Sequence, residues 1–548
     1  MKRSGLYIIM CIFGLLGWAG CSEDAMLPDG QTNVPSKTLL TLNFSIEGED
    51  AASRAVGDDD PEHPAAAWEN NIVTLQVFIR HADGTWEEPI YLWDITGSPY
   101  TVELDDLDLT QTTVYVGANL TMAQAQAFIQ QETNKAAYTF TNNAFDLVTD
   151  LSPYSTDNAD LTGRRHIAMF CTEGIAPQVI ETDEDGKPTK YTTSGFSLKR
   201  MVAKILVTCK ADETITDGET NVDYVPVSES FEGWIRQSDV KYLVNGLNRK
   251  TFIMQQINGE VSEAQAYANV VDPNNELSVT NANNDDFYFQ PIEGEYDSPY
   301  LRATLPFAEA ELSSYTEGIY CPENTFALDE TITLEGQQAQ ITHVCVAAKF
   351  TPKNLRVEYD LFDYVANQQD IEQNVKNAIA QLRPSDGNSG EIVNIECPSE
   401  AVARQLLLSS LQRANNRNGF PEGTYFYHNE EKAFYTYGAM GRDGVSMDDI
   451  DTNPGVFGDF VPYIGGWGYY YTYVDNREDY ELTPNDWNEF YRHGQVERNR
   501  YYILNITRFT RPGSSVTNPN YIMVHTYSFP WKDGGSGEIT LNPEDEIK

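Results

Sequence analysis

Leu40-Thr41-Leu42-Asn43-Phe44-Ser45-Ile46 alternates apolar and polar residues at every step. That is the period of a half-buried strand, whose successive side chains point to opposite faces, and not the 3.6-residue period of a helix. The pattern recurs along the chain. Val73, Leu75, Val77 and Ile79 lie on one face of the next run, Val114 and Val116 follow, and Tyr502, Leu504 and Ile506 mark a late strand. Thr342 to Phe350 alternates again. Met201 to Val207 is apolar on both faces, interrupted by Lys204, as expected of a central strand. Asp83-Gly84 and Asp185-Gly186 are turn-forming pairs between such runs.

Two helical patterns interrupt the strands. Ile371, Val375, Ile379 and Leu382 are spaced for one helix face, Asp370 with Gln373 has the form of a capping box, and Pro384 ends the run. Ser399 is placed to cap a second helix carrying Leu407 and Leu411. The polar stretch Asp272 to Asp286 reads as an interdomain region. The chain is therefore expected to be mainly β, with two β-sandwich domains and helical insertions in the second.

The first residues carry an address. Met1-Lys2-Arg3 is basic, Leu6 to Leu16 is apolar, and Gly17-Trp18-Ala19-Gly20-Cys21 places small residues before a cysteine. This has the form of a secretory signal processed at Cys21, whose thiol would accept lipid; a plain signal peptide with an incidental cysteine is the other reading. Beyond it no stretch approaches the ~20 apolar residues of a membrane-spanning helix. A net charge of −45 argues against nucleic acid and against an anionic membrane surface as partners. Cys171, Cys209, Cys321, Cys345 and Cys397 remain, an odd set with wide spacings and no C-x-x-C. Neither a disulfide framework nor a zinc site is indicated, and buried free thiols are expected.

Motifs of catalysis are not apparent: there is no G-x-S-x-G, H-E-x-x-H, Walker-type loop or G-x-G-x-x-G. No metal or cofactor is expected. Glu181-x-Asp183-x-Asp185-Gly186 copies the front of a calcium loop, but Thr192 stands where the bidentate glutamate belongs, so a solvated hairpin turn is the better reading. Asp449-x-Asp451-x-Asn453 is equally weak. Among 82 acidic residues, a glycosidase pair is recognised only by its separation in space. Gly465 to Tyr471 is rich in aromatics that would suit either sugar stacking or, more commonly for alternating aromatics, a core.

Several landmarks, in order, resemble the fimbrillin family, the type V pilins of Bacteroides-group bacteria, and most of all their short-fimbria shaft subunit. They are Cys21, the strand Thr38 to Ile46 followed by Ser53-Arg54-Ala55, and Leu198-Lys199-Arg200-Met201-Val202-Ala203-Lys204. Cys321-Pro322-Glu323-Asn324-Thr325-Phe326, His343 to Lys353, Gly468 to Tyr473, Val496-Glu497-Arg498-Asn499 and a terminal strand ending Phe529-Pro530-Trp531 continue the series across nearly the whole chain. Two departures stand out. Only Arg511 to Asn520 remains of a long Pro/Asn-rich spacer, and Thr526 and Ser528 occupy apolar positions of the terminal strand.

The resemblance implies transthyretin-like sandwiches and a pilin that polymerises by strand exchange. Residues 1–20 would be the lipoprotein signal, 21–54 a propeptide carrying a removable strand, 55–258 the first domain and 259–548 the second. Taken alone, Arg54 is an exposed arginine in an acidic linker. The resemblance implies an Arg-specific surface protease cutting between Arg54 and Ala55, which would free the subunit from the lipid at Cys21. It also implies a donor strand from Tyr521 to Leu541, carrying Ile522, Val524, Thr526, Ser528, Ile539 and Leu541 on either side of the flexible Gly534-Gly535-Ser536-Gly537. Partners would be other copies and fimbrial subunits, anchor and tip subunits among them, and a host or bacterial surface receptor. The location would be the fimbrium, with a precursor lipid-anchored in the outer membrane. A surface glycan-binding lipoprotein is the alternative from another class, and a lipid-anchored hydrolase a third for which no motif speaks.

Overall fold

The computed structural model describes residues 37–47, 67–93, 95, 97–130, 137–139, 148–150, 165–217, 220–229, 231–257, 270–271, 273, 287–288, 302–308, 318–325, 342–414, 419–442, 444–474, 496–509, 513, 520–521, 523–530 and 537–538. Strands dominate it, as the alternating pattern requires. The first unit is built on β1 (Lys37–Ile46), β2 (Thr74–His81), β3 (Ile90–Trp93), β4 (Tyr100–Asp105), β5 (Thr112–Ala118), β6 (Met169–Cys171), β7 (Gln178–Thr182) and β8 (Pro188–Arg200). They form one sheet in the order β3-β2-β5-β6-β8-β1-β4, with β7 attached to β8. The inward residues of β1, β2, β4, β5 and β8 share one apolar cluster. A helix, α1 (Met122–Ile129), packs Ala125 and Phe128 into it. Sequence reading missed this helix, although Thr121 and Gln124 form a reciprocal capping box that announces it: Gln124 N donates to Thr121 Oγ1 at 2.9 Å and Thr121 N to Gln124 Oε1 at 2.8 Å.

A second cluster lies between two further sheets. One contains β9 (Val202–Cys209), β11 (Ile319–Pro322), β14 (Arg500–Arg508) and β15 (Met523–Pro530); the other contains β10 (Gly233–Asn245), β12 (His343–Pro352) and β13 (Trp467–Tyr473). Every residue of β9 is buried, because it is flanked by β14 in parallel and β11 in antiparallel register. Ile205, Val207 and Leu504 face Tyr242, Val244, Val346 and Tyr470 within the shared cluster, the arrangement of a sandwich.

Packing passes from the first cluster to the second at Val202/Ala203, and Ile253 and Met254 return to the first. The reason is local: β8 ends at Arg200 and β9 begins at Val202, so a single residue, Met201, carries the chain from one sheet to the next. The region expected between domains, Asp272 to Asp286, lies outside the described residues apart from Pro273.

The insertion in the second unit contains α2 (Leu361–Asn367), α3 (Gln373–Gln381) and α4 (Glu400–Arg413). It also holds a five-stranded sheet from Asn354–Glu358, Ile392–Glu396, Tyr425–His428, Ala433–Tyr435 and Phe460–Tyr463, which the helical reading did not anticipate. Ser399 caps α4 by accepting from Val402 N. The Asp370–Gln373 box is not formed: α3 begins after Glu372, without a side-chain cap. Its face is as expected, with Ile379 buried and Ile371, Val375 and Leu382 packed beside it.

Candidate strand-exchange groove and the buried polar joint

β1 lies inside its sheet, antiparallel to β4 on one side and parallel to β8 on the other. Lys37 opposes Asp105 and Leu42 opposes Tyr100; across the other edge Leu40 opposes Tyr191 and Ile46 opposes Leu198. Alternation puts Thr38, Leu40, Leu42, Phe44 and Ile46 inward, each at most 8 % exposed, while the intervening residues are half-buried. The floor they cover includes Val102, Leu104, Phe196 and Leu198.

Polar contacts fix the register. β8 bulges opposite Thr41 to Asn43, and Asn43 fills the broken ladder: its Nδ2 donates to Thr193 O at 2.6 Å and its N to Thr193 Oγ1 at 3.3 Å. Phe44 N donates to Ser98 Oγ at 2.8 Å, and Lys37 pairs with Glu103 at the exposed end. β1 therefore fills a slot whose two walls are β4 and β8.

Three of the sequence landmarks, far apart in the chain, meet where the first cluster abuts the second. Arg200 is fully buried: its Nη1 donates to Asn499 Oδ1 at 2.9 Å, its Nε to Glu69 O at 3.2 Å, and its Nη2 to Asn70. Lys204 Nζ lies 2.7 Å from Glu69 Oε1, both side chains at most 1 % exposed, with the Tyr501 ring centroid 4.8 Å from the ammonium. Tyr320 also donates to Glu69. Beside them Arg498 pairs with buried Glu323 at 3.2 Å and donates to Phe252 O at 2.6 Å and Ile253 O at 3.1 Å. Gln255 Nε2 reaches the same carboxylate at 2.8 Å. Burial pushes the neighbouring Glu497 carboxyl above its ordinary pKa, against the opposing pull of Arg500. Sequence reading gave these residues no structural role. The signal was Lys204 inside an otherwise apolar strand, since a buried charge demands a partner.

Of the residues named for processing and exchange, Cys21, Arg54, Ala55, Ile522, Ile539 and Leu541 lie outside the described residues. Val524, Thr526 and Ser528 belong to β15, where they oppose Ile506, Leu504 and Tyr502 of β14. On its other side, among the described residues, β15 pairs through Tyr527 and Ser528 with Glu538 and Gly537.

The remaining candidates resolve into structure. Asp183 Oδ1 accepts from Asp185 N at 3.0 Å and Lys187 N at 2.8 Å, turning the calcium-like stretch into the hairpin between β7 and β8. Asp449 Oδ2 accepts from Ser446 N at 2.8 Å. Tyr470 belongs to the second cluster and Tyr469 packs with Leu243 and Ala347, so these aromatics are core. The five cysteines are free and buried, and burial pushes the Cys171 and Cys397 thiols up to about 12.

No family model and no curated protein matches the chain. Its neighbours among solved structures are fimbrial and cell-adhesion proteins of Bacteroides-group bacteria. One is a candidate cell-adhesion protein from Parabacteroides distasonis, 10% identical, covering 90% of this chain and 99% of that one at a TM-score of 0.39. A fimbrilin from Porphyromonas gingivalis is 14% identical over 93% of this chain and 99% of its own, with a TM-score of 0.34. The tip fimbrial protein Mfa3 of the same organism, truncated at its C-terminus, is 12% identical over 90% and 100%, with a TM-score of 0.31.

Proposed function

We propose that this chain is a non-enzymatic structural subunit of a cell-surface fimbria that supports adhesion. It is exported as a lipoprotein through Cys21, cut between Arg54 and Ala55, and polymerised by strand exchange. The observation that carries the reading is β1. Four apolar side chains of this strand are buried in the slot between β4 and β8, yet it joins the rest of the first unit through the segment that contains Arg54. Between Lys37 and Arg80, Arg54 is the only lysine or arginine.

Each of those side chains contributes roughly 1.5–3 kcal/mol by burial, so the strand is worth about 6–12 kcal/mol before ordering costs. While tethered, β1 has a high effective concentration and excludes a competitor; after a cut that advantage is gone. The emptied slot would present two unpaired strand edges and an apolar floor, which favours strand addition. The donor we assign is the segment from Tyr521 to Leu541 of a neighbouring copy, with Ile522, Val524, Thr526, Ser528, Ile539 and Leu541. An edge position such as that of β15 suits a strand that must leave its own subunit. Head-to-tail contacts of this kind do not close, and so build a filament. An Arg-specific surface protease, anchor and tip subunits and a surface receptor complete the proposed partners. The mature subunit stands in the fimbrium, its precursor on the outer membrane. Within the aromatic run Tyr469 and Tyr470 are buried, which leaves neither of them a face for stacking on a glycan.

Limited trypsin treatment of the purified full chain tests this. The expected result is loss of the fragment ending at Arg54, a new N-terminus at Ala55 and ladders of higher mass; Arg54→Ala should give folded chain and no ladders. Filaments whose subunits keep residues 37–54 attached would overturn the reading.

A further inference from the structure

The segment holding Arg54 has two stems, and both rest on β8. Glu47 N donates to Leu198 O at 2.8 Å, and Arg200 Nε donates to Glu69 O at 3.2 Å. The two attachments are unequal. On the upstream side the ion pair found among the described residues is Lys199 with Glu47, at 3.4 Å and partly solvated. Downstream, Glu69 is wholly buried against Lys204 and Tyr320, while Arg200 and Asn70 are joined beside it. These partners belong to different units: Glu69 precedes β2 of the first sheet, whereas Lys204 and Tyr320 stand on β9 and β11 of the second.

β8 itself depends on β1 along its middle. β7 pairs with Pro188 to Thr192 and β6 with Leu198 to Arg200, but from Gly195 to Ser197 the strand paired along it, among the described residues, is β1. When β1 departs, strand pairing of this wall, among the described residues, remains on either side of that stretch, with Thr172 N donating to Ser197 O at 3.2 Å. The pairing with β6 ends at Arg200.

We infer that Glu69, Arg200 and Lys204 form a latch, a set of positioning residues that keeps the downstream stem and the β8 wall in place once β1 has left. The inference rests on the strand-exchange reading above, because it concerns the state after β1 is removed. A buried pair suits this task. Breaking it by removing one partner leaves a lone buried charge, so the stem cannot peel away as a solvated ion pair can. The latch also spans both units, which ties the wall to a sandwich outside the sheet that β1 pairs with.

The test uses the full chain, cut at Arg54 by limited trypsin, with the β1 fragment stripped in mild denaturant and removed. Hydrogen exchange is read by mass spectrometry before and after. In the wild type, amides 193–197 should exchange at least ~100-fold faster after stripping, while those of 67–70 and 200–204 change by less than ~3-fold, as for separate cooperative units. Lys204→Met should speed exchange at 67–70 and 200–204 by at least ~10-fold in the stripped chain and by clearly less in the uncut chain, where β1 still supports β8. Asn499→Gly removes the neutral acceptor of Arg200 N and Nη1 without placing a Cβ at a position whose φ is 59°; it should act in the same direction and serves if Lys204→Met does not fold. Wild-type protection at 67–70 lost together with β1 would overturn the latch. So would a Lys204→Met effect of equal size in cut and uncut chains, which marks a merely structural pair. Cut and stripped chain that never forms ladders would count against strand exchange, whereas the exchange data alone decide the latch.

Discussion

Leu42→Ala gives the sharpest measure of how β1 is held. Leu42 is 0 % exposed and belongs to the first cluster. Truncating a fully buried leucine costs about 2–5 kcal/mol, the lost transfer energy plus the cavity left behind. Taking ~3 kcal/mol, and a tenfold change in affinity per 1.4 kcal/mol, the cut strand should bind its slot ~150-fold more weakly. Most of that change should appear as faster dissociation. Leu39 provides the internal control: it is one residue before Leu40, opposes Glu103 and Lys190, and is only half-buried. Leu39→Ala should change binding by less than ~5-fold, as expected of a partly exposed strand position. The assay is dissociation of the fragment ending at Arg54 from full chain nicked at that bond, followed by mass spectrometry after dilution. A Leu42→Ala effect below ~5-fold, or equal effects at the two positions, would refute the claim that inward packing holds the strand.

Three further outcomes are expected. Cys21→Ser should abolish incorporation of radiolabelled fatty acid into the precursor and stop assembly, and label retained in mature filaments would mark an anchor subunit instead. Deleting Tyr521 to Lys548 should leave a protease-resistant first unit, since none of its strands pairs with β15, and abolish ladders, while a synthetic peptide of this segment should still bind the cut chain; normal polymerisation without the segment would assign the donor elsewhere. The thiols of Cys171, Cys209, Cys321, Cys345 and Cys397, all buried and pushed upward by desolvation, should resist a thiol reagent up to about pH 9 and react on unfolding. Rapid native labelling of any one would contradict its burial.

Strand positions were legible because alternation reports directly which residues face a core. Leu40 to Ile46 buries alternate residues and Met201 to Val207 every residue, as their patterns require. His343 to Phe350, read as alternating, is instead buried on both faces apart from Lys349, because it lies between β10 and β13. The Ser399 cap was legible for the same reason, a side chain bonding its own backbone three residues on. The five-stranded sheet of the insertion was not, because its strands are three to five residues long and carry too few alternations to read.

By itself the sequence determined that its longer alternating or apolar segments become strands, and that thiols and turns serve structure. These depend on neighbours a few residues apart. Only the tertiary structure decided which strands pair, that β1 lies between β4 and β8, and that the chain changes core at Val202/Ala203. It alone brought Glu69, Arg200, Lys204, Tyr320 and Asn499 together. A strand's period fixes its burial but is silent about its partner, and a buried charge announces that it needs a counter-charge without saying where in the chain that charge lies.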